Sequence, residues 1–317
     1  MLPELSIIIV NWNGGELLKS CLRSVAQAPP SVPYDIVVVD NASSDDSVQW
    51  LRSSEVAELL PAIEVKIIEN ADNVGFSRAN NQAIARSQAP MLFLLNPDTE
   101  VRAGAIDKLI SCINSDERIG ACGPRLLNTD GSLQHSVWRN PPTAWETIVA
   151  GVGLWRLLPR RLRGELLLGG HWDHATRRAV PMLFGAAVLA RRAMIDEVGG
   201  LDEGFHMYSE DNEWCLRITR AGWLLMFAPE ATVVHHGGQF SNLRWDSNEK
   251  LRVRLASYFD FQRRCLTRSQ VLSNLLAGWG VMTAQRGWRK LRRLPADNVT
   301  ITQEMYWGAL KRAVKEK

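Results

Sequence analysis

Leu5-Ser6-Ile7-Ile8-Ile9-Val10-Asn11-Trp12-Asn13-Gly14-Gly15 runs from six mostly apolar residues straight into a polar, glycine-rich tip. So unbroken an apolar run reads as a strand covered on both faces, as in a parallel sheet. Three more runs repeat it: Ile36–Val39 (IVVV), Val65–Ile68 (VKII) and Met91–Leu95 (MLFLL). Helical patterns alternate with them at Glu16–Ala28, Ser44–Leu59, Phe76–Gln88 and Ala103–Asn114. The alternation predicts an α/β fold, a Rossmann-like, mostly parallel sheet flanked by helices. Ligands of such sheets bind beyond the carboxyl ends of the strands. Those ends are polar here: Asn11 to Gly15, Asp40 to Asp45, Asn70, and Asn96-Pro97-Asp98-Thr99.

Composition narrows the classes. A hydrophobic fraction of 46% and a charged fraction of 22% over 317 residues describe a globular chain, not a disordered tail or fibre. Its five cysteines are scattered and form no Cys-x-x-Cys pair, which argues against a disulfide framework or structural zinc and fits a reducing compartment. The amino-terminal residues lack a basic segment and read as a strand rather than a signal peptide. The longest apolar candidate for a membrane span, Val271 to Ala284, is too short and carries Ser273 and Asn274.

Beyond about Gly120 the alternation fades. Asp130-Gly131 signals a hairpin, and Trp138 to Arg178 reads as a long irregular loop of functional character. A strand at Phe184–Ala190, a helix ending at Gly199-Gly200 and a helix from Glu210 to Arg220 follow. Leu224–Phe227 and Thr232–Val234 read as two strands separated by Pro229, and from Lys250 the pattern is helical, broken near Pro295. Net charge is +3 overall, but residues 1–249 sum to −8 and residues 250–317 to +11. With Trp279, Trp288 and Trp307 inside it, the basic stretch suggests an anionic partner.

Four features carry chemistry. Asp40, ending a buried strand, can accept hydrogen bonds from a ligand or simply cap the next helix. Asp98 follows Pro97 out of the sheet edge and suits a hard divalent cation shared with a diphosphate, although Pro-Asp-Thr is also an ordinary turn. Glu210-Asp211 opens a helix, where an acid is either a dipole-stabilised cap or a general base facing a cleft. His235-His236-Gly237-Gly238 follows an apolar strand and fits a metal or phosphate contact.

Seven stretches in order then resemble the family 2 glycosyltransferases, inverting enzymes of GT-A fold, and among them the rhamnosyltransferase-like bacterial branch. They are Val10–Gly14, Val38–Asp45, Asn73–Asn81, Leu95–Asp98, Gly199–Phe205, Tyr208–Asp211 and Val234–Gly238, spanning roughly residues 5–245. The resemblance implies that Asp40, with Asn11 and Asn13, lines the base pocket of a nucleotide-sugar. Gly75, Arg78 and Asn80 would border its ribose and diphosphate. Asn96 and Asp98 stand in for the family's Asp-any-Asp motif, so manganese or magnesium would rest chiefly on Asp98 and the nucleotide, with His235, or alternatively His236, as a further ligand. Asp211 matches the catalytic base, and Glu210 and Trp138 are acceptor-side candidates.

The organisation expected is a nucleotide-sugar-binding half over residues 1–118, an acceptor-binding and catalytic half over 119–249, and a basic helical extension over 250–317. The expected reaction moves a sugar, in the first instance rhamnose from dTDP-rhamnose or another sugar from a dTDP- or UDP-donor, to a lipid-linked or oligosaccharide acceptor. The expected place is cytoplasmic, and the basic helices either lie on an anionic inner membrane face or pack their apolar side on the catalytic domain with the charges in solvent. A sugar nucleotidyltransferase would want a glycine-rich basic loop after the first strand, for which Asn11–Lys19 is a poor match. A nucleic-acid-binding scaffold would rest on the tail alone, which lacks any RNA-recognition or zinc-finger motif, so no nucleic-acid partner is expected.

Overall fold

A computed structural model describes residues 2–205, 207–237, 246–295 and 297–315; Gly238, the last residue of the histidine–glycine motif, lies outside them. The chain divides into two compact units, Met1–Val137 with His174–Phe240, and Trp138–Asp173 with Ser241–Lys317.

The first unit is built on one mixed sheet. Its strands are β1 (Leu5–Asn11), β2 (Tyr34–Asp40), β3 (Val65–Glu69), β4 (Met91–Leu95), β5 (Thr99–Val101), β6 (Ile119–Leu127), β7 (Arg178–Ala179), β8 (Ala187–Arg191) and β9 (Leu224–His235). They run in the order β3-β2-β1-β4-β8-β6-β9-β5, with β7 also paired to β9. The first four are mutually parallel; β8 is antiparallel to both β4 and β6. The apolar runs explain the parallel half: every residue of β1 and β4 is buried. Flanking helices are α1 (Gly15–Gln27), α2 (Ser47–Leu51), α3 (Ser54–Leu59), α4 (Phe76–Arg86) and α5 (Ala105–Asn114), then α8 (Arg192–Val198) and α9 (Glu210–Arg220). Register sets the tips side by side, Asn11 opposite Asp40 and Asp40 opposite Glu69.

Several elements differ from the sequence reading. The single helix expected over Ser44–Leu59 is two short ones, because Ser53 is extended and its hydroxyl turns back to the Trp50 carbonyl at 2.7 Å. Strand β6 was hidden by its glycines and proline. Those glycines answer crowding: a Cβ at Gly120 would lie 2.7 Å from Met194 Cγ, and one at Gly123 2.9 Å from Leu183 Cδ2. The two strands expected around Pro229 are one strand, β9. Its pairing with β6 jumps from Pro124–Ala228 to Arg125–Thr232, so Pro229 sits in a bulge where no ladder N–H is needed. The strand expected from Phe184 starts only at Ala187, which leaves Phe184–Ala186 as a connection beside the β4 tip.

The second unit is helical: α6 (Ala144–Gly151), α7 (Arg160–Leu167), α10 (Ser247–Cys265), α11 (Arg268–Leu291) and α12 (Asp297–Lys315). The stretch expected to be an irregular loop thus holds two helices. Their signal was the capping box Thr143-x-x-Glu146, in which side chain and backbone bond reciprocally. A small core of Phe259, Val271, Leu275 and Ala309, with Tyr258 and Tyr306 against it, joins α10, α11 and α12. Among the described residues no helix is long and apolar enough to cross a membrane.

Candidate active site

The β1 and β2 tips are tied together by Asp40. Its buried carboxylate accepts from Asn11 Nδ2 at 2.9 Å and from the Ser43 amide at 2.9 Å, while Asn11 Nδ2 also reaches Ser43 Oγ at 3.1 Å. Asn13 adopts a left-handed backbone (φ 53°), and its side-chain oxygen takes the Ser44 amide at 2.7 Å. What this leaves over is Asn11 Oδ1, an acceptor out of reach of solvent with no hydrogen bond. Gly14 makes room for it: a Cβ there would fall 2.1 Å from that oxygen. A ligand N–H is what such an acceptor lacks.

Asn41 organises the loop toward α4. Its side chain donates to Asn73 Oδ1 at 3.0 Å and accepts from Asn70 Nδ2 at 3.1 Å and the Val74 amide at 3.0 Å. Gly75 follows with φ 87° and opens α4. Arg78 is exposed on the first turn of that helix, whereas Asn80 is buried with its amide nitrogen donating to the Phe76 carbonyl at 2.9 Å. Nothing in the sequence around Asn41 marks it as the organiser, because Asn41, Asn70 and Asn73 converge on one loop only in space.

At the β4 tip, Thr99 Oγ1 closes the Asn-Pro-Asp-Thr turn onto the Asn96 carbonyl at 2.6 Å. β5 then pairs antiparallel with the end of β9, Thr99 opposite His235. That pairing brings His235 Nε2 to 3.4 Å from Asp98 Oδ1, both residues nearly closed to solvent. Asp98 Oδ1 has no hydrogen bond. On its other side His235 Nδ1 meets Gln134 Oε1 at 2.7 Å, and Gln134 Nε2 donates to Asn128 Oδ1 at 3.0 Å. This hydrogen-bond chain makes Gln134 Oε1 the acceptor and His235 Nδ1 the donor, which leaves Nε2 as the ring nitrogen facing the Asp98 carboxylate. An imidazole nitrogen beside a carboxylate oxygen is a donor set that manganese accepts. Among the described residues no group of three or more His, Cys, Asp or Glu side chains converges, so this pair would share a cation with ligand oxygens. His236 turns elsewhere, to Glu100 Oε1 at 2.9 Å. Gln134 escaped the sequence reading; the Asp130-Gly131 turn that delivers it was legible, its cargo was not.

Asp211 stands at the start of α9, after Tyr208 and Ser209 take left-handed conformations (φ 65° and 68°). Its Oδ2 accepts the Gly185 amide at 3.2 Å, and its Oδ1 the Asn212 amide at 2.8 Å. The cavity beneath is apolar, lined by Leu94, Leu183, Val188, Trp214 and Leu225. Burial against that lining raises the Asp211 carboxyl, the Gly185 and Asn212 amides opposing it. Glu210 is only half-buried as a residue, but its Oε2 is sealed off and unpaired. Burial, and next the negative charge of Asp211, push it up to about 8. Near neutral pH Glu210 therefore holds its proton, while both Asp211 oxygens face backbone amides.

One connection links the carboxylates. The Asn96 amide donates to the Ala186 carbonyl at 2.9 Å, the neighbouring Gly185 holds Asp211, and Phe184 packs its ring edge-on to His235 at 5.7 Å. Asp98, His235 and Asp211 are thus gathered by Phe184-Gly185-Ala186, and Asp40 lies two strands away at the same carboxyl edge. Trp138 is an exposed residue of the second unit.

A mixed sheet of this order, with strand-tip acids at its carboxyl edge, defines the GT-A class of glycosyltransferase. Solved structures agree with that fold. The crystal structure of GalNAc-T7 with UDP, GalNAc and Mn2+ matches at TM-score 0.60 and 17% identity, over 99% of this chain and 56% of that one. The mannosyltransferase PcManGT from Pyrobaculum calidifontis, in complex with GDP-Man and Mn2+, matches at 0.58 and 16%, over 100% and 76%. This chain spans little more than half the length of the GalNAc-T7 chain. It belongs to glycosyl transferase family 2, whose model matches residues 6–195, and is a glycosyltransferase. Its curated relatives include the N-acetylglucosaminyl-diphospho-decaprenol L-rhamnosyltransferase of Mycobacterium tuberculosis, 29% identical over 74% of this chain and 77% of that protein. Another is the low-salt glycan biosynthesis hexosyltransferase Agl10 of Haloferax volcanii, 25% identical over 98% and 91%.

Proposed function

We propose that the chain is an inverting, cation-assisted transferase that moves rhamnose from dTDP-rhamnose to a hydroxyl of a lipid-linked glycan destined for the cell surface. In this reading residues 1–118 bind the donor, residues 119–249 the acceptor, and peripheral attachment to an anionic membrane brings the enzyme to its lipid-linked substrate. The rhamnosyl assignment takes its support from the mycobacterial relative.

The donor's base would lie against Asp40, Asn11 and Asn13, where Asn11 Oδ1 offers the missing acceptor. Asp98 and His235 would hold manganese or magnesium together with donor phosphate oxygens, Asn96 framing the turn. Such a cation would offset the charge that grows on the departing diphosphate. Gly75, Arg78 and Asn80 would flank ribose and diphosphate from α4. Asp211 takes the acceptor's hydroxyl proton as that oxygen attacks the anomeric carbon from the face opposite the leaving group, a single displacement that inverts configuration. Glu210, an acceptor-side candidate, keeps its own proton and so does not compete as a base.

The observation that carries this is the suspension of Asp211 and Asn96 from adjacent residues, Gly185 and Ala186, with Asp98 two residues further on. The test is nucleotide release from a panel of dTDP- and UDP-sugars with manganese, with and without an N-acetylglucosaminyl diphospholipid. Release from dTDP-rhamnose that requires both manganese and acceptor is expected. Preference for another donor would overturn the rhamnosyl reading, and metal-independent transfer would overturn the role given to Asp98 and His235.

A further inference from the structure

The two units differ in charge and in what they leave uncovered. The second holds 21 Lys and Arg against 9 Asp and Glu, a net of +12, while the first sums to −9. Among the described residues every exposed large hydrophobic except Leu2 belongs to the second unit. Scattered exposed apolar side chains need no explanation, but this segregation onto the smaller and more basic unit does.

Much of it sits on the segment read from sequence as a loop. Trp145, Ile148 and Val152 are 64%, 38% and 48% exposed and recur at three and four residues, one edge of α6. Leu154 and Leu157, 41% and 80% exposed, continue the run in the next turn. α6 lies along α11 in the same direction, pinned by Asn274 Nδ2 to the Pro142 carbonyl (3.0 Å) at one end and Gln285 Nε2 to the Gly151 carbonyl (2.7 Å) at the other. α11 itself ends in exposed Trp288 and Leu291, among Arg289, Lys290, Arg292 and Arg293. Cations ride on the aromatic rings: Arg156 and Arg163 lie 4.9 and 5.2 Å from Trp155, and Arg292 5.5 Å from Trp288.

We propose that the exposed edge of α6 with the turn after it, together with the basic end of α11, is a membrane-docking surface that lies in the headgroup layer of an anionic bilayer. Apolar and aromatic side chains interleaved with arginines fit that layer, where the rings enter the acyl boundary and the guanidiniums meet lipid phosphates. Nucleic acid would match the charge but leave Trp145, Ile148 and Leu157 without a partner. The proposal rests on the reading of a lipid-linked acceptor and gives it an attachment surface.

The test is co-sedimentation of the full chain with phosphatidylglycerol and with phosphatidylcholine vesicles, across salt. Binding to the anionic vesicles that weakens in about 0.5 M salt is expected, because screening shortens the reach of surface charge. The double variant Trp145→Ser/Leu157→Ser should bind at least tenfold more weakly, and Leu157→Ser alone measurably so, while Leu2→Ser on the other unit binds as the parent does. Failure to bind anionic vesicles at low salt overturns the proposal, as does undiminished binding by Leu157→Ser and the double variant. It is equally overturned if the substitutions instead abolish self-association without lipid, or weaken RNA binding and leave vesicles untouched. Turnover of a soluble nucleotide-sugar is read separately: vesicle binding without any donor turnover would sink the transferase reading and leave the docking surface standing.

Discussion

His235 Nε2 lies 3.4 Å from Asp98 Oδ1, and Gln134 fixes which nitrogen of the imidazole carries the hydrogen. The arrangement depends on an ordinary strand pairing, β5 against the end of β9, that sets the imidazole nitrogen against the carboxylate oxygen. Gln134→Leu removes the acceptor for His235 Nδ1 and should weaken manganese affinity by about 10–100-fold, the usual cost of losing the partner behind a ligating histidine. Gln134→Glu, which still accepts that N–H, should keep most of the affinity. Manganese titrations of donor binding by calorimetry distinguish the two variants.

Asp211→Asn keeps the shape and one of the two accepted amide bonds, the other now facing an NH2 group, and abolishes the base. Transfer at saturating donor should fall by about 10²–10⁴-fold, the range for a lost general base. Donor affinity should stay within a few-fold, because the residues assigned to the nucleotide are those at the β1, β2 and β4 tips and the start of α4, not Asp211. A variant with undiminished transfer rate would remove Asp211 from the mechanism.

The parallel half of the sheet was legible because β1, β2 and β4 are buried on both faces and mostly aliphatic, and the half-buried edge strand β3 keeps an apolar Val65, Ile67 and Ile68. The other half was not, because β6 buys close packing against Met194 and Leu183 with glycines, and β9 carries Pro229 through a bulge. In both strands tertiary contact overrides the local signal. Asp40, Asp98, Asp211 and His235 could be named because each lies just beyond an apolar run or opens a helix, whereas Asn11 entered as a site residue only through the family resemblance. Gln134, Asn41 and Gly185 could not. Each acts through a partner at least 26 residues away, and nothing in its own neighbourhood marks it.

Gly14 is required for space, not for conformation, since its backbone is in the ordinary right-handed region (φ −76°, ψ −26°). A methyl group there falls on Asn11 Oδ1, and Asn11 cannot swing away without breaking its bonds to Asp40 and Ser43. Gly14→Ala should therefore cost about 1–3 kcal/mol of stability, the range for overpacking a core. It should also weaken donor binding tenfold or more. Gly280→Ala, a helical glycine with nothing near its missing Cβ, should stabilise by roughly 0.5–1 kcal/mol. Urea denaturation of the pair, read with nucleotide titrations, checks both.

Glu210 gives the fold a pH dependence whose sign is set by burial. Its carboxyl is raised from 4.5 to about 8, so between those values the folded chain holds a proton that the unfolded chain releases. Its contribution is complete below about pH 4.5, declines by roughly 1 kcal/mol per pH unit through the window, and is gone above about 8. Glu210→Gln has no proton to lose. Parent and variant should therefore unfold at similar urea concentrations near pH 5, with the variant progressively the more stable as pH rises to 8. Because the parent residue is already neutral near pH 7, the glutamine variant should also retain transfer within a few-fold there. A collapse of rate like that expected for Asp211→Asn would instead mean that the working base is Glu210.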